Sequence, residues 1–401
     1  MSVRLHQPRY GACMYVSSIL SCQQMITRRQ FTLMGPAAAL AGFSNVKAQT
    51  SNRIILGQSA PFSGPAAQLG IQFHQGAKLW FDQVNAQGGV SGKTIELRKM
   101  DDGYEPERCV ANTRKMIEDE VTALFGYIGT PTSLAALPLA TKAQIPFIAP
   151  FTGAMALREP FSKHVFHLRA SYNDETALIV KQLTNLGLKK IAVFYQNDAY
   201  GRAGLDGVSL ALAGLGLKPV AQATVERNSV DVDVAVNALV AAAPDAVVQV
   251  SAYKSCAAFI RAARKAGYGG TFYNVSFVGT QALADELGKD GAGVVVSQVV
   301  PSPYNPARPI AREFVEAVKK AGAEAQVNFS SMEGYLAAKL VTEGLKRAGG
   351  KAGVRDGLIH GIEAIGTQSF GGFAVQFGPT DHVASNFVEL SMSTGDGKVR
   401  T

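Results

Sequence analysis

Two short turns carry the residues best placed to do chemistry. They are Gly129-Thr130-Pro131-Thr132-Ser133 and Pro150-Phe151-Thr152-Gly153. Each follows an apolar run, residues 123–128 and 146–149, and each precedes a stretch with helical character. In open parallel α/β sheets, ligands sit beyond the carboxyl ends of the strands, where helix N-termini present bare N–H groups. Hydroxyls and amides in two such neighbouring turns suit a carboxylate. Ser133 is predicted to cap a helix reaching about Lys142, and Thr152 with Gly153 to open another over 154–157. Both residues can also be read as helix caps and nothing more.

Other catalytic arrangements are missing from the sequence. The first strand is followed by GQSAPFSG, which is not the G-x-G-x-x-G of a dinucleotide fold. There is no Walker A segment and no G-x-S-x-G elbow. His164 and His167 lie in a strand-like run, HVFHL, and so point to opposite faces. Asp101-Asp102 reads as a solvated turn. Cys109 and Cys256 have no metal-ligand spacing and read as buried thiols, or as a bridge between two halves. No enzyme activity, cofactor or metal is expected.

The elements that must position the two turns follow a βα rhythm. Strands are predicted at 53–60, 94–99, 123–128, 146–149 and 165–168, then at 191–195, 220–224, 246–250 and 271–275. Between them run a long helix after the 61–65 loop and helices at 109–119, 133–142, 176–186, 203–215, 232–242 and 257–266. The first helix presents Ile71, Ala77, Leu79, Trp80 and Val84 and stops at Gly88-Gly89. Strands alternating with helices of ten or so residues predict an α/β fold with parallel sheets covered on both faces. The rhythm restarts near Ile191, which divides the chain into two similar Rossmann-like lobes with a cleft between them.

The N-terminus reads as an export leader. Thr27-Arg28-Arg29-Gln30-Phe31 precedes an apolar run over 33–43 and the small-residue site Val46-Lys47-Ala48. The arginine pair resembles a twin-arginine signal, with an ordinary export signal as the alternative. Met25 gives a leader of normal length and is the expected start. Residues 1–48 hold five basic side chains and no acid, so their removal takes the net charge from +8 to +3. The rest of the chain lacks the clustered basicity of a nucleic-acid partner. It also lacks an apolar run long enough to span a membrane. A soluble periplasmic monomer is expected.

From Arg53 onward the chain resembles a periplasmic solute-binding protein of the branched-chain amino acid type, the ligand receptor of an ABC importer. The resemblance is carried by the order of APFSGPAAQLG, NAQGGVSG, DDGYEPE, IGTPTS, PFIAPFTGA, the R-x-x-x-x-D at Arg169 to Asp174, NDAYGRAGLDG, AYKSCAAFIRAARKAG and EGYLAAKLVTEGLKRAG. It implies two α/β lobes joined by three crossovers, near residues 170–173, 299–302 and 373–377. One lobe is 53–170 plus 301–374 and the other is 171–300 plus 375–401. It further implies that Ser133 binds a ligand carboxylate, assisted by Phe151, Thr152 and Gly153. Gly153 stands at a family threonine position that Thr152 could fill. Tyr200 and Tyr253 match aromatics that close over the ligand, and Leu69 replaces an aromatic of the side-chain pocket.

One departure bears on ligand class. Ser276 stands where relatives that bind amino acids carry an acid for the ligand's ammonium. Either another acid serves, with Asp174 and Glu333 the candidates, or the ligand has no α-ammonium. The implied function is delivery of a small carboxylate-bearing ligand to an ABC permease by cleft closure. The alternative is a periplasmic sensor that docks on a receptor or kinase with the same pocket.

Overall fold

The computed structural model describes residues 52–322 and 326–401, so the leader and its twin-arginine motif lie outside the described residues. Five parallel strands form the first sheet, in the order β2-β1-β3-β4-β5. They are β1 (Arg53–Ala60), β2 (Thr94–Asp101), β3 (Ala123–Phe125), β4 (Phe147–Ile148) and β5 (Val165–Phe166), linked by α1 (Ala67–Ala86), α2 (Pro106–Glu118) and α3 (Thr130–Lys142). The sheet is pinned by the long β1–β2 ladder, from Arg53 opposite Thr94 to Ala60 opposite Asp101.

The second sheet has seven strands, in the order β14-β13-β10-β9-β8-β6-β7. It begins after α4 (Tyr172–Asn185) with β6 (Ile191–Gln196), α5 (Ala199–Ala213), β7 (Ala221–Val225) and α6 (Asp233–Ala241). β8 (Ala246–Val250), α7 (Tyr253–Lys265), β9 (Thr271–Asn274), α8 (Thr280–Leu287) and β10 (Val295–Gln298) follow. Every residue of β8 is buried, as a parallel strand between two helix layers requires.

Three helices then return to the first lobe: α9 (Pro309–Ala321), α10 (Phe329–Ala348) and α11 (Arg355–Glu363). α10 lies on α1 with backbone against backbone. A β-carbon on Gly76 would strike the Ser331 carbonyl, and one on Gly334 the Phe73 carbonyl. A hairpin, β11 (Thr367–Phe370) with β12 (Phe373–Gln376), precedes β13 (Glu389–Ser393) and β14 (Val399–Arg400), which add antiparallel to the edge at β10.

The two lobes are joined three times. Residues 373–376, where the sequence places the third crossover, form β12. The passage to the second sheet follows instead between Ala384 and Glu389. On the way, residues 382–384 run beside the first crossover. His167 N–H donates to the His382 carbonyl, and Ala384 N–H to the His167 carbonyl, both at 2.8 Å.

Candidate functional site

Each of the two sequence-predicted turns lies at the carboxyl end of its strand, and they meet. The Gly129 amide donates to the Phe151 carbonyl at 3.2 Å, and the Thr130 and Thr152 hydroxyls lie 2.6 Å apart. α3 starts at Thr130 with Gly129 before it, so Ser133 is not the cap that its sequence position suggests. Pro131 in the first turn explains the earlier start, because its ring presets a helical φ where no N–H partner is needed. Ser133 therefore sits one turn into the helix, where its N–H is taken by the Gly129 carbonyl at 3.1 Å. Its hydroxyl is fully buried and has no partner among the described residues. A buried hydroxyl left unpaired is costly, so such an atom points to a group that completes it.

The second turn is read more closely. The Thr152 hydroxyl accepts from Ala154 N–H at 3.2 Å, opening a single 3-10 turn at Met155–Leu157 instead of a full helix. Thr152 N–H is itself used by the Pro150 carbonyl at 2.8 Å. Gly153 has no room for a side chain. A β-carbon there would lie 2.6 Å from the Tyr172 amide, which donates to the Gly153 carbonyl at 2.8 Å. No threonine side chain fits at Gly153, so the hydroxyl of this turn is that of Thr152.

Ser276, in a 3-10 turn after β9, does not stand alone. Its hydroxyl and amide donate to the two oxygens of Glu175 at 3.0 and 2.7 Å, and Ser297 donates to the same carboxylate at 2.5 Å. Arg169 donates to the Ser276 hydroxyl at 3.1 Å and holds Glu333 with a bidentate pair at 2.8 and 2.7 Å. The guanidinium lies 4.0 Å from the centre of the Phe151 ring. This cluster is fully buried at Arg169 and Glu175. Burial pushes the Glu175 carboxyl above the usual range, against the pull of Arg169 and the serine hydrogen bonds. Burial would lower Arg169, but Glu333 outweighs it and holds the guanidinium above its ordinary value.

The two acids offered by the sequence are both committed elsewhere. Glu333 is spent on Arg169, and Asp174 forms a reciprocal capping box with Ser171 at the start of α4. Glu175, the acid actually beside Ser276, is missed by sequence reasoning. Its neighbour Asp174 carries the recognisable spacing from Arg169, while only the fold reveals that α4 turns the next residue inward.

Aromatic side chains complete the surroundings. Phe277 packs on Tyr200 with centroids 4.4 Å apart, and on Phe151 and Tyr104 at 5.8 Å each. Tyr172 meets Tyr200 at 5.4 Å. Tyr104, Tyr172 and Phe277 are not singled out by the sequence. Tyr104 has a positive φ of 66° at the DDGYE turn, which swings its ring onto the cleft side. The Tyr200 hydroxyl is buried without a partner among the described residues. Tyr253, at the start of α7, makes none of these ring contacts and faces the Gln68 backbone of α1. Leu69, next to it, is buried against Gly279 of the opposite lobe. Beside the cluster a cavity of about 370 Å³ is walled by Thr130, Leu134 and Met155 of one lobe and Tyr172, Ala199 and Arg202 of the other.

Of two further expectations, the acid pair changes and the buried thiols hold. Asp101 ends β2 half-buried, its carboxylate accepting from the Phe62 and Gly103 amides at 2.8 and 3.0 Å and from Arg108 at 2.7 Å, and Asp102 is fully buried, accepting from the Ser59 hydroxyl at 2.8 Å and the Tyr104 amide at 2.8 Å. Burial pushes its pKa up to about 6. Cys109 and Cys256 are free and buried. Burial raises both thiols far above their ordinary range, so they are inert packing groups.

Comparison with known proteins agrees with this architecture. Residues 53–396 match the family model described as periplasmic binding protein. The Leu/Ile/Val-binding protein homolog 7 of Brucella suis is 29% identical over 387 residues, covering 91% of this chain and 94% of that protein. The crystal structure of a possible leucine/isoleucine/valine-binding protein from Rhodopirellula baltica superposes with a TM-score of 0.83 at 34% identity, covering 87% of this chain and 96% of the other. The solute-binding protein of an ABC transporter from R. palustris, solved in complex with benzoate, gives a TM-score of 0.76 over 87% of this chain and 95% of that one. At 22% identity it shows the fold alone.

Proposed function

Because the chain belongs to the periplasmic binding protein family, of the branched-chain amino acid type, we propose that it is the solute receptor of an ABC importer for a small carboxylic acid without an α-ammonium group. Ser133 and the Thr152 turn take the carboxylate. Phe151, Tyr200 and Leu69 wall the apolar or aromatic remainder, and Tyr253 closes the second lobe's side. The protein works by binding and closure as a periplasmic monomer, with lobe one made of 53–170 plus 301–384 and lobe two of 171–300 plus 389–401.

The observation that carries this reading is the state of Ser276. Its hydroxyl and amide are both engaged by Glu175, and the adjacent cation is the protein's own Arg169, already paired with Glu333. An incoming ammonium would be buried beside a fixed guanidinium with no uncommitted carboxylate, and such a charge is expensive. The R. palustris protein of the same fold holds benzoate, which makes an aromatic acid a suitable probe. The names of the Brucella and Rhodopirellula relatives favour leucine, isoleucine or valine instead, while the engagement of Glu175 and Glu333 by the protein's own donors supports the ammonium-free reading.

A thermal-shift panel that sets aliphatic and aromatic acids against the common amino acids tests the proposal. A ligand at 100 times its Kd stabilises by about 2.7 kcal/mol, an easily read shift. Stabilisation by amino acids alone would refute it. Small-angle scattering with a saturating acid should show compaction, and unchanged profiles would count against closure.

A further inference from the structure

Two turns meet across the lobes at the edges farthest from the crossovers. The first crossover leaves β5, and the second and third attach at β10 and β13, whereas β2 and β7 are the opposite edge strands. The turn after β2, Gly103-Tyr104-Glu105, meets the turn after β7, Arg227-Asn228. The Arg227 guanidinium and the Asn228 amide donate to separate oxygens of the Glu105 carboxylate, at 2.9 and 2.7 Å. The same amide donates to the Gly103 carbonyl at 3.0 Å, and the Gln196 amide to the Tyr104 hydroxyl at 3.2 Å. Arg227 also reaches Asp198 at 3.4 Å, the residue that caps α5 by accepting from the Tyr200 amide. Asn228 has a φ of 61°, in the left-handed region that asparagine tolerates better than most residues.

We infer that Glu105, Arg227 and Asn228 form a latch at the mouth of the cleft, holding the closed state by bonds the ligand does not make. The inference rests on the closure reading above and not on the class of ligand. Each of the four cross-lobe hydrogen bonds joins groups carried by different lobes, so all of them need the jaw shut. They favour the closed state alone, and whatever favours that state raises the affinity of a ligand bound within it. The latch is also tied to the cleft. Tyr104, between Gly103 and Glu105, packs its ring on Phe277, and Arg227 braces the cap of the helix whose second residue is Tyr200. The Arg227–Glu105 pair is partly exposed and worth little by itself, so the effect comes from several bonds that open together.

Two substitutions open the latch without touching the fold. Arg227→Met keeps the aliphatic stem and removes the donors, and Asn228→Gly keeps the left-handed turn and removes the amide. Binding kinetics with leucine and 4-methylpentanoate are measured alongside the lobe separation. The separation is read by pulsed electron resonance between spin labels at Arg114→Cys on α2 and Gln222→Cys on β7, both exposed positions. The native Cys109 and Cys256 are buried and stay unlabelled. The double variant should bind whichever probe the wild type binds about tenfold more weakly, and Asn228→Gly alone about threefold more weakly. The loss should lie in faster dissociation with association unchanged, since ligand enters the open jaw and the latch forms afterwards. The label distance should lengthen in the variants. Unchanged affinity together with unchanged distances overturns the latch, and so does a loss carried by slower association. Binding of leucine alone refutes the ammonium-free reading, while the latch still stands or falls on the same comparison of rates. If wild type binds neither probe, the ligand-free distances decide: longer ones in the variants support the latch and unchanged ones overturn it.

Discussion

Replacing Glu333 by Gln removes the charge from a carboxylate that holds a fully buried arginine. Arg169 has no exposed side-chain surface and Glu333 only 5%. Two charge-assisted hydrogen bonds at 2.8 and 2.7 Å join them, each worth about 1.5–3 kcal/mol. Losing one partner of a buried pair costs about 3–5 kcal/mol, because the remaining charge is stranded in low dielectric. Two features soften the loss here. Glu175 stays near Arg169 through Ser276, and the Phe151 ring beneath the guanidinium supplies a cation–π contact of about 2 kcal/mol in a dry site. The amide of Gln also keeps one of the two hydrogen bonds. The expected cost of Glu333→Gln is therefore near the lower bound, about 3 kcal/mol. The double variant Arg169→Met with Glu333→Leu should cost less than the single one, since no charge is stranded. Urea unfolding followed by circular dichroism measures both. A cost below about 1 kcal/mol for Glu333→Gln, or a double variant worse than the single, would refute the picture of a closed, self-neutralised cluster.

Two other outcomes follow from the geometry. Ser133→Ala should leave folding stability unchanged or slightly improved, because it deletes an unpaired buried hydroxyl, yet weaken carboxylate binding by about 1.5–3 kcal/mol; calorimetry and thermal unfolding together read the contrast. Acid stability should depend on an opposed pair. Burial, then Lys99 and Lys78, lower the His74 pKa to about 4 while its ring bonds Gln58 at 2.7 Å, so its contribution is full above pH 6.5 and is lost as pH falls toward 4. Burial raises Asp102 to about 6, so its effect runs the other way, with stability growing as pH falls from 6 toward 3.8. The sum over pH 4–6.5 should be nearly flat in wild type, fall on acidification in Asp102→Asn and rise in His74→Asn, as followed by unfolding midpoints at each pH.

Much of this was legible because it is periodic or local. Parallel strands buried on both faces read as short apolar runs, and β8 matches its predicted range residue for residue. The two hydroxyl turns were readable because Gly, Pro, Ser and Thr punctuate them. The site's electrostatics were not. Glu175 meets Ser276 across 101 residues and Arg169 meets Glu333 across 164, and nothing in either local sequence signals such a pairing. The buried carboxylate of Asp102 was hidden for a different reason. Adjacent acids read as a solvated turn, yet Asp101 ends β2 half-buried under Phe62, Ser63 and Arg108, and Asp102 after it is fully buried on Ser59 and Tyr104. Phe277 escaped notice because one aromatic in an apolar run is ordinary until the lobes bring four rings together.

The central claim is that this receptor takes a carboxylate whose α-carbon carries no ammonium. Titration calorimetry with leucine and with 4-methylpentanoate, the same skeleton without its amine, tests it most directly. The two share the carboxylate for Ser133 and the branched tail for Leu69 and the aromatic wall, so the difference isolates the charge at Ser276. Measurable binding of 4-methylpentanoate with none of leucine is the predicted result. Leucine binding at micromolar Kd, about −8.2 kcal/mol, with 4-methylpentanoate silent, would contradict it.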